Sequence, residues 1–158
     1  MKKETIDKIL LLLLGLLIGL LIIMIAMSNF LSKISYSLQF KVNGYTPENA
    51  IAICSGENLE KTSYCLNSFI SSIYKYESRK DIERPSFTEL VEEGGDCLNW
   101  EMLTCELATK IGYGCTKVSI PVEKKENIQY KHTFAIIHNS EGYAKFDGKG
   151  VNIFIYKQ

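Results

Sequence analysis

Three residues that lie far apart in the sequence, Cys97, His132 and Asp147, are of the types that catalyse acyl transfer. In such chemistry a cysteine thiolate attacks a carbonyl carbon, a histidine takes and returns the proton, and a carboxylate orients the histidine ring. Each type also has common structural roles, because free cysteines are often buried and histidines are often solvated. The elements that position the three side chains therefore decide whether they form a site.

Cys97 follows Gly94, Gly95 and Asp96, and this order is typical of the start of a helix. Asp96 is a good N-cap, so Cys97 is predicted to lie in the first turn of a helix that ends near Ile111. Unpaired N–H groups and the helix dipole at such a position stabilise the negative charge of a thiolate. The backbone N–H of Cys97 is also a natural donor to an oxyanion, and the glycines let backbone or substrate approach closely.

His132 and Asp147 lie on two predicted strands that are joined by a turn near Asn139. A two-residue turn at 139–140 would place His132 directly opposite Asp147, whereas a four-residue loop at 139–142 would make them diagonal neighbours. Both loops leave the two side chains on one face of the sheet, with Cβ atoms about 5 Å or about 7–8 Å apart. The carboxylate can then reach the imidazole, although a three-residue loop with a bulge would weaken this argument. The other histidine, His138, lies beside the turn and is predicted to be solvated.

The remaining four cysteines leave the redox state of the chain open. In an external domain, four of the five cysteines, which include Cys54, Cys65, Cys105 and Cys115, would pair and one would stay free. Alternatively, all five cysteines are buried and unpaired. The odd number of cysteines fits a thiol that is kept for chemistry, but the spacing does not decide between the two states.

Residues 9–27 contain no charged or strongly polar side chain, and as a helix they would span about 28 Å, close to the hydrocarbon thickness of a bilayer. A retained anchor fits this run better than a cleavable signal peptide, because the run is long and no small-x-small cleavage site follows it. More lysines lie just before the run than just after it. The positive-inside rule therefore predicts a single-pass protein of the cell membrane whose C-terminal domain is extracytoplasmic. The spacing of Gly15 and Gly19 would also let two anchors pack as a homodimer.

The segment after the anchor is predicted to form one α+β domain, with helices first and an antiparallel sheet second. We expect helices from Pro47 to near Cys54, over 59–76, from the capping box at Ser86 to Gly94 and from Cys97 to near Ile111, a surface loop over 78–85, a polar connection over 124–127, and strands over 116–121, 130–138, 143–147 and 151–156. The apolar stripe of the last helix runs through Leu98, Met102, Leu107 and Ile111, and it leaves Trp100 outside. The chain has 18 basic and 18 acidic side chains and no basic block that would bind nucleic acid.

Several short motifs together resemble the transglutaminase-like superfamily. They are Gly-Asp-Cys97 at a helix start, Gly112-Tyr113 at the end of that helix, His132-Thr-Phe-Ala-Ile on a strand, and Phe146-Asp147 on the next strand. The resemblance covers about half of the segment after the anchor. It implies a papain-like α+β core and a Cys-His-Asp triad, here Cys97, His132 and Asp147. Two features depart from the family pattern, since Phe134 stands where family members commonly have Trp and no upstream residue is identified that would complete the oxyanion hole.

The sequence is accordingly divided into an anchor over 1–30, a juxtamembrane segment over 31–45 and a transglutaminase-like domain over 46–158. The resemblance implies a cysteine enzyme that acts on amide bonds of protein or peptide substrates through a thioester. Hydrolysis is favoured over transfer, because water is always available. We expect no metal ion and no organic cofactor.

Three other functions are consistent with the same residues. A zinc site would use the cysteines together with His132, although the chain has no C-x-x-C pair. A cell-wall amidopeptidase of the Cys-His class would use the same thiol with a differently placed third group. A catalytically inactive, membrane-tethered binding or scaffold module on the same fold would use none of them.

Overall fold

The structure, a computed structural model, describes residues 3–56, 58–78, 85–125 and 128–156. The chain divides into two compact units, Met1–Ser35 and Tyr36–Gln158. Most of the surface loop predicted over 78–85 and half of the connection predicted over 124–127 lie outside the described residues. The fold that positions the candidate site belongs to the second unit.

The first helix, α1, is Lys3–Asn43, so it continues through the segment predicted to be juxtamembrane. It ends at the predicted turn, where Gly44 has a φ of 91° and its N–H donates to the carbonyl of Phe40 at 2.8 Å. Among the residues described, no helix combines the length and apolar character that crossing a membrane requires. The anchor over 9–27 stays a prediction.

Four further helices are α2 (Pro47–Cys54), α3 (Leu59–Ile73), α4 (Phe87–Glu93) and α5 (Cys97–Ile111). The caps predicted from the sequence are present: Thr46 and Asp96 cap α2 and α5, and Ser86 forms a capping box with Glu89 in α4. Helix α3 is shorter than the predicted 59–76. It stops because Tyr74 adopts an extended conformation and the backbone at Tyr76 then pairs with Gly95.

The sheet has four antiparallel strands in chain order, β1 (Gly114–Lys125), β2 (Ile128–Asn139), β3 (Gly142–Asp147) and β4 (Gly150–Ile155). The α+β class with an antiparallel sheet is thus confirmed. Strand β1 is longer than the predicted 116–121, because the ladder continues past Pro121 through an irregularity between Pro121 and Glu123. A proline is tolerated there because β1 is an edge strand.

The core lies between the helices and one face of the sheet, and α5 packs on β1, β2 and β3. Along β2 and β3 the buried side chains alternate with partly exposed ones; the buried ones include Thr133, Ala135, Ile137, Ala144 and Phe146. Since side chains alternate between faces, His132 and Asp147 lie on the face of the sheet that is turned away from these residues.

The predicted apolar stripe of α5 was wrong in part. Trp100, predicted to lie outside it, is 3% exposed, whereas Leu98, predicted to lie in it, is 39% exposed. The reason is that α5 is covered by α2 and α3 as well as by the sheet, so its buried surface is wider than one stripe. The indole N–H of Trp100 donates to the carbonyls of Lys75 and Gly95, both at 3.1 Å.

Two disulfides are present, Cys54–Cys65 between α2 and α3 and Cys105–Cys115 between α5 and β1. Their Cα atoms are 5.5 Å and 5.3 Å apart. Cys97 is the free cysteine. Of the two redox states that the sequence leaves open, the structure has the one with two pairs and one thiol.

Candidate active site

Cys97 is the first residue of α5, and the turn that holds it is fixed by reciprocal hydrogen bonds. The Asp96 carboxylate accepts from the Asn99 N–H, and the Asn99 side-chain oxygen accepts from the Asp96 N–H, both at 3.0 Å. This capping box satisfies two backbone donors and leaves the N–H groups of the first turn beside the thiol. The position is the one at which a helix N-terminus stabilises a thiolate.

The two glycines before Asp96 are required by packing. Gly94 has a φ of 88°, and a Cβ there would lie 2.7 Å from the Lys75 carbonyl oxygen. A Cβ on Gly95 would lie 2.4 Å from a methyl group of Leu90 and 2.9 Å from the Asn99 Cβ. The glycines therefore let the start of α5 pack directly against neighbouring backbone and side chains.

The segment that follows α3 holds the start of α5 in place. The N–H of Gly95 donates to the Lys75 carbonyl at 3.0 Å, and the N–H of Glu77 donates to the Gly95 carbonyl at 3.1 Å. The Trp100 indole bonds to the same two carbonyls, those of Lys75 and Gly95. These bonds hold the segment that carries Tyr74 against the start of α5, where Cys97 lies.

On the sheet, Nε2 of His132 lies 2.8 Å from Oδ1 of Asp147. His138 pairs with Tyr143, which is the register predicted for the longer loop. Asn139 also pairs with Gly142, so the turn itself contains only residues 140–141. Asp147 is therefore a diagonal neighbour of His132, and its carboxylate spans the diagonal.

The Asp147 carboxylate is held ionised by the groups around it. Its other oxygen, Oδ2, lies 3.3 Å from the ammonium of Lys145. Burial raises the pKa of Asp147, but the hydrogen bonds from His132 and Lys145 and their charges lower the pKa below its ordinary value. An ionised carboxylate can only accept, so the proton of the neutral imidazole resides on Nε2. Nδ1 of His132 is left as the ring atom that can take a proton.

The Cys97 thiol is half-buried, and within the described ranges it forms no hydrogen bond with His132. Helix α5 packs on the buried face of the sheet, whereas His132 and Asp147 lie on the other face. The structure thus brings His132 and Asp147 together, and among the described residues neither of them contacts the thiol. Tyr74 lies near both parts of the predicted site. Burial raises the pKa of Tyr74, and the negative charges that Tyr76, Cys97 and Asp147 can carry raise it further. Cys97 and Asp147 thus both lie within electrostatic range of one phenol.

Tyr74 is a residue of this region that the sequence did not single out. Its ring packs on Trp100 with centroids 4.9 Å apart, and a Cβ on Gly148 would lie 3.4 Å from its hydroxyl oxygen. In the sequence, Tyr74 belongs to the apolar spacing of the predicted helix over 59–76, and no motif marks it. Its placement follows from the early end of α3, which is a tertiary effect.

The surroundings of His132 are aromatic and cationic. The Lys145 ammonium lies 4.0 Å from the centroid of the Phe134 ring. Phe134 stands two residues after His132, so the cation, the ring and the His132–Asp147 pair share one face.

A cavity lies elsewhere on α5. It has a volume of about 390 Å³, and Phe87, Leu90, Asn99 and Leu103 are among the residues that line it. None of the three predicted catalytic residues lines this cavity.

The structure leaves few of the ligands that the alternative zinc site would need. Four of the five cysteines are in disulfides, and a disulfide sulfur does not bind zinc as a thiolate. In the part of the chain that the structure describes, no group of three or more His, Cys, Asp and Glu side chains is arranged to hold a metal ion.

No protein-family model matches this chain, and no curated protein matches it. The site must therefore be interpreted from its own chemistry.

Proposed function

We propose that the chain is a membrane-anchored cysteine enzyme with a transglutaminase-like, papain-like core, which hydrolyses amide bonds of protein or peptide substrates through a thioester. The observation that carries the proposal is the 2.8 Å hydrogen bond between Nε2 of His132 and Asp147, which leaves Nδ1 as a base. The free thiol of Cys97 at the start of α5 supplies the nucleophile. The other four cysteines are paired, so Cys97 is the cysteine of the domain whose thiol is free to react.

The proposed reaction requires Nδ1 of His132 to come within reach of the Cys97 thiol. Nδ1 then takes the thiol proton, and the sulfur of Cys97 attacks the carbonyl carbon of the substrate. The carbonyl π electrons move to the oxygen, and the backbone N–H of Cys97 donates to this oxyanion. As the oxyanion collapses, the C–N bond breaks and the imidazolium gives its proton to the leaving amine. Water then hydrolyses the thioester by the same steps, and Asp147 stabilises the imidazolium each time it forms.

The two disulfides support an oxidising compartment for the domain, because such bonds form and persist outside the cytosol. An external domain agrees with the orientation that the positive-inside rule favours. The apolar run over 9–27 supports an anchor, since every large apolar side chain from Leu12 to Met24 is more than half exposed. An apolar helix surface of this extent is stable when lipid covers it.

The proposal is tested by the rate at which iodoacetamide alkylates Cys97 in the oxidised full chain at pH 7. An ordinary thiol is only a few per cent ionised at this pH, so a thiolate that is paired with an imidazolium reacts faster. We expect His132→Ala to slow alkylation by about tenfold. The matched control is His138→Ala, because His138 lies on the same strand and is exposed.

Mass spectrometry of the alkylated peptide gives the rate at Cys97 without interference from the disulfide cysteines. Equal alkylation rates in the wild type, His132→Ala and His138→Ala would reject the enzyme and favour an inactive binding or scaffold module. Release of fragments from purified peptidoglycan, but not from proteins, would instead favour the cell-wall amidopeptidase.

A further inference from the structure

Tyr74 presents a hydroxyl group that the proposed reaction has not used. The hydroxyl forms no hydrogen bond within the described part of the chain, and it lies over Gly148, the residue after Asp147. The Tyr74 ring is half-buried and is supported from behind by Trp100, at 4.9 Å between centroids. A polar group in a partly buried position without a partner is available to a ligand.

The position of this phenol is fixed from two directions. The Tyr74 backbone continues into Lys75, whose carbonyl accepts from the Trp100 indole and from the Gly95 N–H. On the other side, the Ser71 hydroxyl of α3 donates to the Lys149 carbonyl at 3.1 Å, which ties the end of α3 to the turn after Asp147. The Tyr74 ring is therefore held between Trp100 of α5 and Gly148, the residue after β3.

The phenol also stays protonated. Burial, and then the negative charges that Tyr76, Cys97 and Asp147 can carry, keep the pKa of Tyr74 above its ordinary value. A protonated phenol near a thiolate and a carboxylate is a hydrogen-bond donor to any oxygen that develops negative charge there. The upstream group that would complete an oxyanion hole is the one that the sequence left unidentified.

We propose that the Tyr74 hydroxyl is the second oxyanion donor of the site, a catalytic residue that acts together with the backbone N–H of Cys97. This inference rests on the proposed function. When the Cys97 sulfur bonds to the carbonyl carbon, the π electrons move to the oxygen, and Tyr74 and the Cys97 N–H donate to it. When the C–N bond breaks, the electrons return to the carbonyl, and the phenol keeps its proton throughout.

The test compares two reactions of Cys97 in the oxidised full chain and in Tyr74→Phe, which removes the hydroxyl and keeps the ring on Trp100. Acylation by p-nitrophenyl acetate passes through an oxyanion, and the burst of p-nitrophenol gives its rate. Alkylation by iodoacetamide is a direct displacement at carbon and forms no oxyanion. We expect Tyr74→Phe to slow acylation by about 100-fold and to change alkylation by less than about twofold.

The matched control is Tyr76→Phe, since Tyr76 is 58% exposed and lies two residues further along the same segment. Both of its rates should equal those of the wild type. Unchanged Trp100 fluorescence in Tyr74→Phe would show that the ring still packs as before. The wild-type acylation must also be lost in His132→Ala.

The possible results separate the two proposals. If Tyr74→Phe slows both reactions equally, or slows neither, Tyr74 is not an oxyanion donor, while the proposed function stands as long as acylation depends on His132. If wild-type acylation does not depend on His132, the proposed function fails and the role of Tyr74 fails with it.

Discussion

Replacing Glu101 with Gln should make the domain more stable at neutral pH, and the gain should disappear in acid. Glu101 lies in α5 and is 4% exposed, and neither of its carboxylate oxygens has a hydrogen-bond partner in the described part of the chain. Burial raises the pKa of Glu101 from 4.5 to about 7, even though the charge of Lys117 lowers it. An ionised carboxylate in this place is costly.

The magnitude follows from proton linkage. Between the unfolded pKa of 4.5 and the folded pKa of about 7, the folded state holds a proton that the unfolded state has lost. The contribution of this proton to the free energy of unfolding is therefore fully present below pH 4.5. It falls by about 3 kcal/mol in total as the pH rises to about 7. Glutamine has no proton to lose, so the stability difference between Glu101→Gln and the wild type should grow by this amount over the same range.

The assay is guanidinium unfolding of the full chain at a series of pH values between 4.5 and 8.5, followed by tryptophan fluorescence. Trp100 is the single tryptophan of the sequence and is buried in the same helix, so its emission reports unfolding of this domain. The control is Glu92→Gln at an exposed position of α4, where the stability difference should be small and independent of pH. If the curves of Glu101→Gln and the wild type run parallel from pH 4.5 to 8.5, Glu101 is not a protonated buried acid, and the reasoning is refuted.

Four further changes have expected results. Asp147→Asn should slow acylation of Cys97 by p-nitrophenyl acetate about a thousandfold, because an amide does not hold the imidazole in the required tautomer. Cys97→Ser should abolish that acylation while the unfolding midpoint stays within error of the wild type. Gly95→Ala should lower the free energy of unfolding by about 1–3 kcal/mol, because its Cβ would overlap Leu90; unchanged stability would contradict this. Replacing the Cys105–Cys115 pair by serines should cost about 2–3 kcal/mol in the same guanidinium titration, from the loop that the bond closes.

The parts of the fold that depend on neighbouring residues could be predicted from the sequence. Thr46, Ser86 and Asp96 cap helices at the predicted positions, because a cap is formed by a side chain and the backbone one turn away. The switch from helical to alternating periodicity after Gly112 likewise predicted where the sheet begins. The position of Cys97 at a helix start followed directly from these local signals.

The parts that depend on distant residues could not be predicted. The end of α3 is decided by pairing between Tyr76 and Gly95, and the burial of Trp100 by the packing of α2 and α3 on α5. Two registers of the hairpin were compatible with the sequence, and only the pairing of His138 with Tyr143 distinguishes them. Tyr74 was missed for the same reason, since its neighbours come from α5 and from the turn after β3.

The two disulfides both lie in the part of the domain that carries the thiol, and not in the hairpin that carries the imidazole and the carboxylate. Cys54–Cys65 and Cys105–Cys115 fasten helices to each other and to β1, and neither reaches strands β2 to β4. The hairpin that bears the imidazole and the carboxylate is consequently attached to the thiol-bearing helix by packing and hydrogen bonds alone. If the proposed function holds, the distance between the sulfur of Cys97 and the ring nitrogen of His132 is therefore set by noncovalent packing and not by a disulfide.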